Sequence, residues 1–182
     1  MHFSKTGIEG VWLIEQKVTG DKRGWFTETY REDLFAKHGI HERFVQDNHS
    51  CSERGVLRGL HYQIDPKAQA KLVRVSAGEA FDAVVDLRVG SKTFGQWHAD
   101  ILSSDNHKML YIPRGFAHGF LAMKDGTELV YKCTELYSPE HERGIHWSDA
   151  TVNIAWPKMD GEYKLSEKDK KYPSLKQAFG VR

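Results

Sequence analysis

Glycine and short polar clusters interrupt this sequence at close intervals, and the runs between them are rich in Val, Ile, Thr, Phe, Tyr and Trp. These residue types favour strands, and short strands separated by frequent turns are typical of all-β proteins. Residues 81–88 and 129–134 each alternate two different sets of side chains, as strands with two distinguishable faces do. The pattern therefore favours a β-sandwich or a jelly roll.

The same reasoning predicts strands at residues 11–18, 24–30, 45–51, 57–63, 71–77, 81–88, 95–102, 108–112, 117–123 and 129–134. A helix is predicted over 32–39, because acids occupy its first turn, cations occupy its last turn and Gly39 is suited to a left-handed cap at its C-terminal end. A second helix is predicted to start at the capping-box sequence Ser166–Asp169 and to end near Pro173. A short tail helix is predicted over 175–179.

Length and charge limit the number of domains and the kinds of partner that this chain can be expected to have. The 182 residues fit a single domain spanning 1–182. Lys and Arg number 26 against 25 Asp and Glu, so no general affinity for nucleic acid or for an acidic membrane is predicted. Cys51 and Cys133 are too few for a disulfide framework and are interpreted as reduced thiols. With no long apolar segment, we expect a soluble cytoplasmic protein.

Residues 45–63 concentrate polar side chains that are typical of a pocket lining: Gln46, Asn48, Arg58, His61 and Gln63. Strict strand alternation predicts His61 and Gln63 on one face and Arg58, Leu60 and Tyr62 on the other. A buried imidazole requires a partner, because an unpaired buried polar group costs on the order of 1 to 3 kcal/mol. The alternative to a functional His61 is a core histidine satisfied by a backbone carbonyl.

A second motif occupies residues 111–120, where a Pro-x-Gly turn leads to His118 two to three residues into the next strand. It resembles the second half-motif of cupins, in which such a histidine binds a metal. A divalent metal needs three or more protein ligands, commonly starting with His-x-His on the opposing hairpin. Here that position reads His61-Tyr62-Gln63, so we predict a cupin without metal, in which His118 lines a pocket.

Five further residues have both an ordinary and a functional interpretation. Lys71 either protects a sheet edge from pairing with another chain or is buried because it has a functional role, since lysine is rarely buried without a partner. Tyr131 is a core tyrosine or a phenol acid. Arg23 in a hairpin turn and Glu142 are ordinary solvated charges when taken alone. Asp169 is the third residue of the capping box or a partner for another site residue.

Taken together, these residues provide a base, a phenol acid, a cation for an oxyanion and arginines for an anionic group. The set fits proton abstraction beside a carbonyl, with return of the proton on another face. The enolate formed needs stabilisation, and loss of one such donor lowers the rate by about 100- to 1000-fold. Lys71 and His118 are the two candidates for that role.

The motifs in their order along the chain resemble those of the dTDP-4-dehydrorhamnose 3,5-epimerase family of the dTDP-L-rhamnose pathway. The resemblance covers nearly the whole chain and is carried by residues 20–28, 46–48, 55–63, 78–88, 112–120, 131–134, 137–145 and 165–169. It implies a cupin-type jelly-roll β-barrel, or double-stranded β-helix, with a few short helices at its periphery and C-terminus. It also implies a homodimer with strand exchange near the N-terminus, and neither metal nor cofactor.

The resemblance also implies roles for individual residues. The substrate is dTDP-4-dehydro-6-deoxy-D-glucose, inverted at C3 and C5. His61 is expected as the base, Asp169 as the carboxylate that orients it, Tyr131 as the acid on the opposite face, and Lys71 as the residue that stabilises charge at O4. The positions that match substrate contacts are Arg23, Phe26, Glu28, Gln46, Asp47, Asn48, Arg58, His118, Tyr137, Glu142 and Lys168.

Three alternatives remain open on sequence alone. A related epimerase or ketoisomerase acts at a single carbon with much the same residues, since regiochemistry depends on how the sugar ring lies against His61 and Tyr131. A sugar-nucleotide binding cupin without catalysis is the second alternative. A metal-dependent cupin oxygenase is the third, and residues 62 and 63 argue against it because they replace the usual ligands.

Overall fold

The structure is a computed structural model, and it describes residues 1–180. Thirteen strands account for most of the ordered elements. They are β1 His2–Lys5, β2 Trp12–Glu15, β3 Val18–Asp21, β4 Gly24–Thr27, β5 Gln46–Ser52, β6 Leu57–Gln63, β7 Lys71–Ala77, β8 Glu79–Asp86, β9 Trp97–Ser103, β10 Lys108–Ile112, β11 Phe116–Ala122, β12 Thr127–Cys133 and β13 Glu142–Gly144. The helices are α1 Glu32–Ala36 and α2 Leu175–Phe179, with a 3₁₀ turn at Asp169–Lys171.

The strands form two main antiparallel sheets and one separate hairpin. The six-stranded sheet has the order β1-β2-β10-β7-β12-β5, and the five-stranded sheet has the order β13-β6-β11-β8-β9. Strands β3 and β4 pair only with each other. Neighbours that are distant in sequence therefore lie side by side, as in a jelly roll.

The main core lies between the two sheets. Val73 and Leu129 of the six-stranded sheet and Val84 and Phe120 of the five-stranded sheet belong to one buried cluster, against which Tyr131 packs. Residues that pair across an antiparallel ladder point to the same side. Val73 pairs with Tyr131 and Val84 pairs with His118, so both site candidates are on the inner faces of the sheets.

Separate clusters cover the outer faces. Leu60 and Val85 on the outer face of the five-stranded sheet are covered by Ile145, Val152 and the buried Leu175 of α2. The outer face of the six-stranded sheet is covered by residues of α1 and the loop after it. Because the C-terminal segment crosses the five-stranded sheet, it can bring its own polar residues to the end of β6.

A register shift between β6 and β11 corrects one prediction from the sequence. His61 pairs with His118, but Arg58 pairs with Phe120, so Gly59 and Leu60 on β6 oppose the single residue Gly119 on β11. Since the partners at 118 and 120 share the inner face, Arg58 and His61 also share it. The strict alternation that separated these two side chains was wrong.

The expected fold class is confirmed, since strands dominate and the helices are short and peripheral. Within residues 1–180 the two sheets are not joined by hydrogen bonds into a closed barrel. The tail helix at Leu175–Phe179 is confirmed, and its capping box is formed by Ser174 and Gln177. The helix predicted after Ser166 is wrong, because only the turn at Asp169–Lys171 forms there.

Most central strands were predicted within one or two residues, whereas β1, β3 and β13 were missed. These three strands have three or four residues each, and β3 is exposed along its whole length. Such short segments carry little alternation, so the sequence pattern had no signal to detect.

Candidate active site

The centre of the site is a histidine–aspartate pair. His61 on β6 and Asp169 in the 3₁₀ turn lie with Nε2 and Oδ1 2.6 Å apart. Asp169 is 3% exposed, and its backbone N–H donates to the Ser166 hydroxyl. A carboxylate only accepts, so Nε2 carries the proton and Nδ1 keeps the lone pair. The interpretation of His61 as a core residue bound to a backbone carbonyl is therefore wrong.

The hydrogen bond with His61 favours the ionised form of the Asp169 carboxyl group. Burial would raise its pKa, but hydrogen bonds from His61 and Ser166 and the positive charge of Lys168 bring the pKa below the usual value. The ionised carboxylate holds the imidazole in one tautomer and is placed to stabilise an imidazolium.

Tyr131 and Lys71 lie on the facing sheet. Tyr131 is on β12, and Lys71 pairs with Cys133 two residues further along the same inner face. Strand β7 lies between β10 and β12, so the interpretation of Lys71 as an edge-strand residue is wrong. Burial lowers the pKa of the Lys71 ammonium and raises the pKa of the Tyr131 phenol. The phenol thus stays protonated as an acid must.

Two cavities meet at His61. The inner cavity has a volume of about 100 Å³, and its lining includes His61, Lys71 and Tyr131. The outer cavity has a volume of about 430 Å³, and its lining includes His61, Asp169 and the cations Arg58 and Lys168. The base candidate therefore lines both a small cavity and a larger one that carries positive charge.

The amide and phenol side chains predicted from residues 45–63 and 137 reach the inner cavity. Gln46, Asn48, Gln63 and Tyr137 all line it. Gln46 Nε2 donates to Asn48 Oδ1 at 3.0 Å, and the Tyr137 backbone N–H donates to Gln46 Oε1 at 2.9 Å. Gln63 donates to the carbonyls of Lys67 and Leu136, so it holds the loop after β12 against β6.

A hydrogen-bonded network lies at the entrance to the inner cavity. The carboxylate of Glu142 accepts from the Tyr137 hydroxyl at 2.8 Å and from the Lys168 ammonium. Burial would raise the pKa of Glu142, but these two donors lower it below its usual value. Two segments that are distant in sequence, residues 137–142 and the turn that contains Lys168, are thereby joined next to His61.

His118 is buried and points toward the interior. Its Nε2 lies 2.9 and 3.0 Å from the two carboxylate oxygens of Asp82, which is fully buried on β8. Sequence reasoning did not single out Asp82, although its place among apolar residues on a strand face was a signal. Gln69 and Tyr62 also line the inner cavity and were not predicted as site residues.

Five predicted substrate contacts do not line these two cavities: His118, whose ring is paired with Asp82, and four others. Asp47 lies on the outer face of β5, where it pairs with Lys132 at 2.9 Å. Arg23 and Phe26 lie on the β3–β4 hairpin, with Phe26 70% exposed and the Arg23 side chain 90% exposed. Glu28 follows the hairpin and contacts Arg31 at 3.6 Å.

The hairpin lies at the opposite end of the six-stranded sheet from the inner cavity. Trp25 packs on His107 with ring centroids 5.0 Å apart, next to the start of β10. Lys71 pairs with Ile112 at the other end of β10. The hairpin residues of a protomer are therefore separated from its own His61 and Lys71 by the length of a strand.

Two general observations complete the description. In residues 1–180, no group of three or more His, Cys, Asp or Glu side chains is placed to hold a metal ion. The helices of this part of the chain are too short to span a lipid bilayer.

Comparison with known proteins gives consistent results. The sequence profile of the dTDP-4-dehydrorhamnose 3,5-epimerase family matches residues 5–177. The dTDP-4-dehydrorhamnose 3,5-epimerase of Methanothermobacter thermautotrophicus is 50% identical over 176 residues, covering 96% of this chain and 95% of that protein.

Solved structures show the same relationship. The Legionella pneumophila dTDP-6-deoxy-D-glucose-3,5-epimerase RmlC, in complex with dTDP-4-keto-L-rhamnose, superposes with a TM-score of 0.92 at 46% identity, covering 96% of this chain and 92% of that one. ChmJ, a 3'-monoepimerase from Streptomyces bikiniensis in complex with dTDP-quinovose, superposes with a TM-score of 0.89 at 35% identity, covering 96% and 89%. On this fold, site and similarity, the chain belongs to the dTDP-4-dehydrorhamnose 3,5-epimerase family.

Proposed function

We propose that this protein is a dTDP-4-dehydrorhamnose 3,5-epimerase, which inverts C3 and C5 of dTDP-4-dehydro-6-deoxy-D-glucose to give dTDP-4-dehydro-L-rhamnose. The observation that carries the proposal is the placement of the His61–Asp169 pair and Tyr131 on opposite sheets around one cavity. Inversion requires a proton to leave from one face of a carbon and another to arrive on the opposite face.

His61 is the base in this mechanism. Its Nδ1 takes the proton from a carbon next to the C4 ketone, and the electron pair of the broken C–H bond moves into the carbonyl to form an enolate. Asp169 stabilises the resulting imidazolium through Nε2. C3 and C5 both flank C4, so the same chemistry serves both carbons. Every step is redox-neutral and balances without a cofactor.

Tyr131 and Lys71 complete the cycle from the facing sheet. The Lys71 ammonium stabilises the negative charge on O4, a type of contact whose loss lowers the rate by about 100- to 1000-fold. As the enolate collapses, the Tyr131 hydroxyl gives its proton to the opposite face of the carbon. Solvent then returns the proton to Tyr131 and removes the one held by His61.

The outer cavity suits the nucleotide diphosphate. Arg58 and Lys168 supply positive charge beside His61, and a guanidinium binds phosphate oxygens in a bidentate manner. Gln46, Asn48, Tyr137 and Glu142 supply hydrogen-bonding groups around the inner cavity. His118, which is buried and paired with Asp82, is a second polar group in the interior between the sheets.

We further propose a homodimer in which the β3–β4 hairpin of each protomer reaches the site of the other. Two features support this: the hairpin presents Trp25 and Phe26 to solvent, and it lies far from its own inner cavity. The partner's Arg23, Phe26 and Glu28 would then supply the contacts that one protomer lacks. Asp47, on an outer face, stays a predicted contact without a place in this arrangement.

A single-site epimerase is the second candidate, because the 3'-monoepimerase ChmJ shares the fold at a TM-score of 0.89. The deciding experiment is proton NMR of dTDP-4-dehydro-6-deoxy-D-glucose with the pure protein in deuterium oxide, coupled to a reductase that traps the L-sugar. Deuterium at both C3 and C5 with formation of dTDP-L-rhamnose is the expected result. Deuterium at one carbon only would identify a single-site epimerase.

Two variants serve as controls in this experiment. His61→Ala removes the base, so exchange at both carbons is expected to stop. Tyr131→Phe keeps the base and removes the acid, so proton removal is expected to continue in part while inversion is impaired. Full epimerase activity in His61→Ala would contradict the proposed mechanism, and absence of exchange with the unmodified protein would contradict the proposed function itself.

A further inference from the structure

Tyr172 follows the 3₁₀ turn that carries Asp169, and the mechanism above gives it no role. Its ring meets the His61 imidazole edge to face, with 5.6 Å between the ring centroids and 65° between the planes. Its hydroxyl oxygen is buried and has no partner that meets hydrogen-bond geometry within residues 1–180, although the Lys168 side chain lies near it. The contact with His61 is therefore made by the aromatic ring alone.

The ring fits at this place because the neighbouring strand carries a glycine. Gly144 on β13 pairs directly with His61 on β6. A Cβ atom at position 144 would lie 2.6 Å from carbon atoms of the Tyr172 ring, which is closer than such atoms approach each other. Tyr172 thus fills the space beside His61 that a side chain at position 144 would take.

Two contacts hold the segment that directly follows Tyr172. The Pro173 carbonyl accepts from the His146 backbone N–H at 2.8 Å. The Leu175 backbone N–H donates to the buried carboxylate of Asp149 at 2.8 Å, and the Leu175 side chain is 1% exposed in the outer core. Because these contacts run to the loop after β13, and β13 pairs with β6, the backbone next to the ring is tied to the strand that carries His61.

A single hydrogen bond leaves an imidazole free to pivot. The Nε2–Oδ1 contact with Asp169 fixes one ring atom of His61, but the plane of the ring can still rotate about that bond. An aromatic ring packed against the imidazole at a defined angle removes this rotation. The direction of the Nδ1 lone pair, which takes the substrate proton, is thereby set by Asp169 and Tyr172 together.

We propose that Tyr172 is a positioning residue that orients His61 through its ring, while its hydroxyl contributes nothing to the reaction. The inference rests on the proposed function, since it assumes that His61 acts as the base. The geometry that carries it is the edge-to-face contact, the glycine opposite the ring and the hydroxyl with no partner at hydrogen-bond geometry in the described part of the chain.

The test compares Tyr172→Leu, which removes the ring, with the matched control Tyr172→Phe, which removes only the hydroxyl. We expect Tyr172→Phe to stay within about twofold of the unmodified enzyme, with an unchanged or higher melting temperature. We expect Tyr172→Leu to lower kcat by about 10- to 100-fold, because small misplacement of a reacting group has effects of that size. KM is expected to change by less than about threefold.

The ratio of deuterium incorporation at C3 and C5 separates positioning from mere loss of folded protein. A smaller folded fraction lowers both exchange rates equally, whereas a misdirected Nδ1 changes them unequally, because the two carbons lie in different directions from it. The expected result for Tyr172→Leu is a changed ratio. An unchanged ratio, or a Tyr172→Phe variant as impaired as Tyr172→Leu, would overturn the inference.

A second measurement does not depend on activity. The proton shared by His61 Nε2 and Asp169 is expected to give a downfield proton NMR signal in the unmodified enzyme and in Tyr172→Phe. In Tyr172→Leu, a freely pivoting imidazole would broaden this signal through faster exchange with water. An equally sharp signal in all three proteins would overturn the inference even if the substrate proved to be another sugar.

If the unmodified enzyme shows no exchange at C3 or C5, the proposed function fails, and the NMR signal alone decides whether Tyr172 orients His61.

Discussion

At the residue scale, the chemistry of the site depends on which atoms of each candidate group are already bonded and which are left for a substrate. His61 Nε2 is committed to a buried carboxylate at 2.6 Å, which leaves Nδ1 for the substrate. Tyr131 and Lys71 reach the same cavity from the facing sheet. Burial raises the pKa of the Tyr131 phenol and lowers the pKa of the Lys71 ammonium. The phenol therefore holds its proton more strongly than a free tyrosine, and the ammonium holds its proton less strongly than a free lysine.

Asp169→Asn tests the pairing directly. The amide keeps the shape of the carboxylate and loses the negative charge that stabilises the imidazolium. We expect kcat to fall by about 100- to 10,000-fold, as in other enzymes in which such a carboxylate orients a histidine base, with a much smaller change in KM. Steady-state kinetics with the coupled reductase measures this. A kcat close to that of the unmodified enzyme would show that Asp169 has no part in catalysis.

The pH dependence tests Lys71. Burial lowers its pKa, so the ammonium loses its proton at a lower pH than a free lysine does, while Tyr131, whose pKa is raised, keeps its proton. As pH rises, the decline of kcat is therefore expected to follow the deprotonation of Lys71. In Lys71→Arg the guanidinium stays protonated, so that decline is expected to move to higher pH. A decline at the same pH in both proteins would assign it to another group.

At the element scale, the pairing of β6 with β11 places the base candidate and a substrate-binding candidate together. The register shift brings Arg58 and His61 to one face, which regular alternation would not do. The strands approach each other so closely at this point that a Cβ on Gly59 would lie 2.5 Å from the Gly119 Cα. The geometry of the site therefore depends on two glycines whose strands could not approach so closely with larger side chains.

Gly59→Ala is expected to destabilise the protein by about 2 to 4 kcal/mol, because the new methyl group clashes with backbone and the residue has a positive φ of 134°. Gly55→Ala is the matched control, since Gly55 also has a positive φ, of 83°, but no atom lies within 4 Å of its added Cβ. The free energy of unfolding of Gly55→Ala is expected to be lower than that of the unmodified protein by about 1 to 2 kcal/mol. Urea unfolding measures both, and equal losses would show that the close approach does not matter.

At the scale of the whole molecule, the chain does not bring its own Arg23 and Phe26 to the candidate catalytic cavity. The hairpin that carries them exposes 70% of Phe26, and its aromatic side chains have no core of their own to pack into. Exchange of identical hairpins between two protomers would bury these side chains and complete both sites with one symmetric contact.

Mixed dimers test this arrangement. His61→Ala and Arg23→Ala are each expected to impair both sites of their own homodimer. In a dimer of one chain of each kind, one site combines an intact His61 with an intact Arg23 from the other chain. A random mixture is therefore expected to recover about a quarter of the activity. No recovery in isolated mixed dimers would show that Arg23 serves the site of its own protomer.

The fold class and most central strands could be predicted because they depend on local information. Alternation of side chains, turn glycines and strand-forming residues act over a few positions, and each reports on its own segment. The short strands β1, β3 and β13 have too few residues for such a signal. The helix predicted after Ser166 failed because the Asp169 carboxylate pairs with His61 and the chain turns away toward α2.

By itself, the sequence determined that this chain forms an all-β jelly roll, and its motifs identified His61, Asp169, Tyr131 and Lys71 as site candidates. Only the tertiary structure decided how they meet, because His61 and Asp169 are 108 residues apart and their contact depends on how the C-terminal segment crosses the sheet. The same packing placed Tyr172 against His61. Such contacts arise from the packing of distant segments, which no local pattern encodes.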